Sequence, residues 1–166
     1  FLGGVSIMAT TGAKYPTAAT TVSENPWKDN DWTAATAIYA DDGVNVACTA
    51  STFDAGDQSY VVKGRGFDFS AVPTGATING VICNVNAWCA TSSSGSLDLM
   101  QLTDTALARV GTNQCATAVV LTATTTTVIT KGSSTDVWGN SLTAAWVKHA
   151  NFGVGLGVLA NTANVD

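Results

Sequence analysis

The segment Val81-Ile82-Cys83-Asn84-Val85-Asn86-Ala87-Trp88-Cys89 decides the fold class. Val81, Cys83, Val85, Ala87 and Cys89 fall on one side of an extended chain, and Ile82, Asn84, Asn86 and Trp88 on the other. Apolar residues at every second position describe a β-strand with one dry and one wetter face. A helix would scatter the same side chains around its circumference. The pattern predicts a strand within 77–90. It is entered from the turn Val72-Pro73-Thr74-Gly75, where proline and glycine supply the special backbone angles.

The same signals recur outward from this strand. Further strands are expected within 35–40, closed by Asp41-Asp42-Gly43, and within 44–48, where Val and Asn alternate. Others are expected within 59–69, from Leu97 onward, within 118–130, and over 153–160. One short helix fits near 143–149: Thr143 is a good N-cap, and Ala144, Ala145, Trp146 and Val147 tolerate helical geometry. The expected fold is therefore all-β, an antiparallel β-sandwich or jelly roll over residues 31–166. Residues 1–30 carry Pro16 and Pro26 among Thr, Ala, Ser and Asn with no periodic apolar stripe. They read as an extended N-terminal arm that gains order by packing on a neighbour or on its own domain.

Composition agrees. A chain of 166 residues suits one domain with a real core. It holds 25 Thr but a single Glu, Glu24, which weighs against a mainly helical protein. Net charge is -5, and the seven basic residues are scattered, so a nucleic-acid partner is not expected. No run of 18 apolar residues is present, so no membrane-spanning helix is expected.

Catalytic and metal-binding patterns were sought among the remaining polar residues. His149 is the only histidine and lies beside Lys148, with no G-x-S-x-G elbow to partner it. Asp41 with Asp42, and Asp54 with Asp57, are the acidic clusters; they read as turns more readily than as calcium loops. A glycosidase needs two carboxylates across a cleft, and a single Glu gives that reading little support. Cys48, Cys83, Cys89 and Cys115 form no CxxC and no Cys/His cluster. They read as buried free thiols, with disulfides to other strands as the alternative. No catalytic residue, cofactor or metal is expected. The five tryptophans are different, since a flat indole on a sheet surface can stack on a sugar. Trp27, Trp32 and Trp88 are the candidate interface or glycan-contact residues, and packing against the arm or a neighbouring subunit is the competing role for Trp88.

The stretch from Phe67 to Val81, Phe67-Asp68-Phe69-Ser70-Ala71-Val72-Pro73-Thr74-Gly75-Ala76-Thr77-Ile78-Asn79-Gly80-Val81, resembles a segment common in structural proteins of tailed bacteriophages. The pattern there is F-x-F-S-x-[IV]-P-x-G-A-x-I-x-G-[IV], and each position matches. Trp138-Gly139, Leu142-Thr143 and Asn151-Phe152-Gly153-Val154 are similar to its second half. Asn25-Pro26-Trp27 and Tyr39-Ala40-Asp41-Asp42-Gly43 resemble its N-terminal landmarks, with Asp-Gly displaced relative to Tyr-Ala. Physically, the motif is turn and core chemistry. Phe67 and Phe69 share a face, and Pro73 with Gly75 tightens the connection.

The resemblance implies a non-enzymatic virion protein, most readily a capsid decoration (cement) protein contacting the major capsid protein and copies of itself. A homotrimer at a threefold position is the expected assembly. A receptor- or carbohydrate-binding module of a tail fibre, with a surface glycan as ligand, is the alternative. The resemblance further implies one more strand after Val165-Asp166 to close the sandwich. Without it, an open sheet would leave a row of unpaired N–H and C=O groups on that strand's neighbour. The expectation is a longer native chain, the alternatives being an edge covered by the N-terminal segment or by a strand from a neighbour.

Overall fold

A computed structural model describes residues 2–9, 12–24, 31–39, 45–48, 54–91, 93–123 and 125–162. Its named strands all pair antiparallel. The N-terminal region supplies β1 (Leu2–Ala9), β2 (Gly12–Lys14) and β3 (Ala18–Val22). Then come β4 (Trp32–Thr33), β5 (Ala47–Cys48), β6 (Val61–Arg65) and β7 (Ile82–Ala87). The second half supplies β8 (Gly95–Thr103), β9 (Arg109–Val110), β10 (Val119–Val120), β11 (Thr127–Gly132) and β12 (Gly153–Ala160). One helical turn, α1 (Ala144–Val147), stands before β12.

Two main sheets result. One has the order β11-β7-β1-β2, and the other β10-β8-β12-β6-β3 with β9 also on β8; β4 and β5 make a separate pair. The alternation read in the sequence holds in β7, where Cys83, Val85 and Ala87 are buried and the residues between them half-exposed. Val62 of β6, Met100 and Leu102 of β8, and Val154 and Leu156 of β12 join them in one apolar cluster with Ile129 of β11. A single core thus draws on both sheets.

The segments from Phe67 to Val81 and from Trp138 to Val154 meet in this core. Phe67 and Phe69 stack with ring centres 6.1 Å apart, and Phe152 meets Phe69 edge-on at 5.9 Å. Trp138 is fully buried, and its indole N–H donates to the Val81 carbonyl at 2.9 Å. The turn at Pro73 closes through an Ala76 N–H to Pro73 carbonyl bond of 3.1 Å, with Gly75 at φ 82°. That angle is cheap only for glycine. Thr143 caps α1 as expected, its hydroxyl accepting the Trp146 N–H at 3.1 Å.

Several expectations are corrected. Residues Ala35–Tyr39 form a 3-10 turn, not a strand. Ala34 bends the chain with φ 53°, Ile38 alone of the five is buried, and the Tyr39 hydroxyl accepts the Ala19 N–H at 3.0 Å. The Ala37 N–H donates to the Ala34 carbonyl at 2.8 Å, the three-residue bond of a 3-10 turn, which a β-strand does not make. The strand expected from Thr77 to Ala90 enters its ladder only at Ile82; just before it, the Val81 N–H donates to the Asp136 carbonyl at 2.9 Å, outside the named strands. The region 118–130 divides into β10 and β11. β12 is paired on both sides, with β8 on one and β6 on the other. The far edge belongs to β3, a strand of the N-terminal region. Within the segment expected to be an extended arm that packs on a neighbour or on its own domain, residues 2–22 supply strands to both main sheets, with Leu2 opposite Ala87 and Val22 opposite Val61.

Candidate functional site

The six-stranded order turns one face of β6, β12 and β8 toward the core and leaves a second face. In β12 the apolar Val154 and Leu156 point to the core, so Gly153, Gly155 and Gly157 share the other side. Lys63 and Gln101 lie opposite Gly155 in the neighbouring strands. With no side chain on β12 there, long side chains from both neighbours lie over its backbone. A Cβ on Gly155 would sit 3.3 Å from Cδ of Arg109, which marks where the arginine stem crosses.

Glu24 completes this arrangement from just beyond β3. Its carboxylate bridges Lys63 and Arg109, one oxygen to each. Lys63 is 4% exposed and also donates to the Leu107 carbonyl at 2.8 Å. Leu107 turns that carbonyl inward by adopting φ 66° in the tight loop between β8 and β9. Arg109 reaches Gln101 Oε1 at 3.3 Å, and Gln101 donates to the Gly111 carbonyl at 2.6 Å. Burial tends to raise the Glu24 pKa, but the bonds and charges of Lys63 and Arg109 outweigh it and hold the carboxyl below its usual range.

Beside this triad a cleft of about 280 Å³ opens, lined by Gln58, Val61, Asp98, Leu99, Arg109 and Gly157 among others. Gln58 Nε2 donates to Asp98 Oδ2 at 2.6 Å. Asn113 fixes the strand behind: its Nδ2 donates to the Asp98 carbonyl at 2.8 Å, and its Oδ1 accepts the Met100 and Cys115 N–H groups at 3.0 Å each. Burial pushes the Asp98 pKa up, and the Gln58 bond and Arg109 charge only partly offset this. The two carboxylates of one cleft are thus biased in opposite directions.

The residues singled out in the sequence do not assemble here. Trp32 is 5% exposed, with its indole N–H donating to the Tyr60 carbonyl at 2.6 Å, so its ring cannot serve as a stacking surface. Trp88 is half-buried just after β7, and Trp27 lies outside the described residues. His149 is exposed and its Nδ1 accepts the Asn151 N–H at 3.1 Å, which ties a turn. Asp54 and Asp57 close a turn through the Asp54 N–H to Asp57 Oδ2 bond of 3.0 Å; Asp41 and Asp42 lie outside the described residues. Among the described residues no three His, Cys, Asp or Glu side chains group as metal ligands. None of the four cysteines is joined in a disulfide; burial pushes Cys48 up to about 12 and Cys115 up to about 11, so both stay protonated at neutral pH.

Glu24, Lys63, Asp98 and Arg109 were not selected from the sequence as site residues. Two signals pointed to them: Glu24 is the only glutamate, and glycine alternates with apolar residues through β12. A scan against protein-family models and searches of curated proteins and of solved structures return no match for this chain.

Proposed function

We propose that this protein is a non-enzymatic structural component of a tailed-phage virion, a capsid decoration protein with a β-sandwich of jelly-roll type. The observation that carries the reading is the motif from Phe67 to Val81 together with its second half around Trp138 and Phe152: both resemble phage structural proteins, and they pack against each other through Phe69 with Phe152 and Val81 with Trp138. The single core drawn from both main sheets supports the sandwich. Its partners are copies of itself and the major capsid protein, and its place is the assembled particle. The receptor-binding alternative draws on the cleft beside Asp98 and no longer on Trp32, which is buried. Gold-conjugated antibody against the protein, applied to particles grown from the source of the sequence and imaged in negative stain, tests the reading. Label over the head is expected. Label at tail-fibre tips favours the alternative, and particles without label overturn both.

A further inference from the structure

The cleft beside Asp98 has a composition that selects its occupant. Four charges stand in it or directly behind it, Glu24 and Asp98 against Lys63 and Arg109, and they balance. Such a site offers no net attraction to an ion, but it offers dense hydrogen bonding of both kinds. An ionised carboxylate has roughly four acceptor positions, and Gln58 Nε2 is one donor on Asp98. Val61 and Leu99 add an apolar wall. The floor is glycine for a steric reason: a Cβ on Gly157 would come within 3.2 Å of Leu99 Cβ and 3.9 Å of Asp98 Oδ1. A side chain at 157 would fill the space between the apolar wall and the carboxylate. The volume of about 280 Å³ is close to the lower end, roughly 300 Å³, of small-molecule pockets, and suits one ring, not a chain.

We propose that this cleft binds one ring of a neutral sugar, free or as the terminal residue of a glycan, with Asp98 and Gln58 meeting its hydroxyls and Val61 and Leu99 its C–H face. An alcohol-rich ring is the ligand class that combines many hydroxyls, no charge and a partly apolar face. The assignment does not depend on which virion surface the chain occupies, or on its being a virion protein.

Saturation-transfer NMR tests it on the full chain. The probes are glucose, galactose, mannose, rhamnose and N-acetylglucosamine, each also as its methyl glycoside, with galacturonate and N-acetylneuraminate as anionic comparators. Transfer to at least one neutral sugar is expected. Amide shifts in the labelled protein should be confined to the neighbourhoods of residues 58–61, 98–99, 109–113 and 157. Asp98→Asn and Gln58→Ala should weaken binding about tenfold or more, while Val128→Thr on β11 leaves it unchanged. Binding of the methyl glycoside identifies a glycan terminus as the source, and binding of the reducing sugar alone identifies a free sugar. The proposal is overturned by no transfer to any neutral sugar, by tighter binding of the anionic comparators, or by amide shifts that map elsewhere. The shift map needs no variant, so a poorly folding Asp98→Asn does not shield the proposal.

Discussion

Glu24 ties three elements together with one carboxylate: the end of β3, Lys63 of β6 and Arg109 of β9. Lys63 is too buried to be hydrated, so removing its counter-charge leaves an ammonium with little besides the Leu107 carbonyl. Glu24→Gln should therefore destabilise the protein by about 2–3 kcal/mol in urea unfolding. A fully buried pair would cost roughly 3–5 kcal/mol, but Glu24 retains 20% exposure. The deficit has a pH signature. Because the folded pKa of Glu24 lies below its ordinary 4.5, its contribution is full above that value and is lost as pH falls through the lower, folded value. Unfolding curves of wild type and variant should converge on acidification. Asp98 runs the other way: its raised pKa means that ionisation costs stability, so Asp98→Asn should narrow its gap to wild type, or become the more stable, as pH rises. Little of this was legible. Arg109 lies 85 positions from Glu24, and nothing local to either residue announces the pairing. Trp32 was misread for a related reason: its neighbours are polar, and what buries it comes from far along the chain.

The most legible element was β7, where alternation alone assigned the buried face, and the least legible was the 3-10 turn at Ala35–Tyr39, whose small residues suit several conformations. β12 lies between these cases. Its identity as a strand was readable, but its central position was not, since apolar content does not tell which neighbours a strand will have. The structure makes its glycines unequal. A Cβ on Gly153 would run into the Gly64 carbonyl of the adjacent strand, whereas at Gly95 of β8 the nearest atom would be 3.7 Å away. Gly153→Ala should cost at least the upper part of the roughly 1–3 kcal/mol range for overpacking, and Gly95→Ala much less; paired thermal melts check this. Trp138 is a comparable lock between β7 and the loop before α1. Trp138→Ala should cost about 3–5 kcal/mol, because it opens a large cavity and leaves the Val81 carbonyl without its donor.

For the molecule as a whole, the N-terminal segment was read as an extended arm that packs on a neighbour or on its own domain; β1 sits between β7 and β2, and β3 forms an edge of the other sheet. Deleting residues 2–24 should abolish cooperative unfolding, where a peripheral arm would be removable; circular dichroism of the truncated chain decides. Native mass spectrometry addresses the assembly, with a trimer of about 51 kDa expected from a 16.9 kDa chain. The placement of β1 also orders events in time. Leu2 finds its partner only when Ala87 has been made, 85 residues later. At a synthesis rate of roughly 5–20 residues per second, the β7-facing edge of β1 waits about 4–17 s for its partner. Each later strand joins an existing edge of this sheet: β2 pairs with β1, β7 adds to the other side of β1, and β11 adds to β7. β1 and β2 therefore form a hairpin early, and that hairpin is the edge on which β7, and after it β11, can build in the order in which they are made.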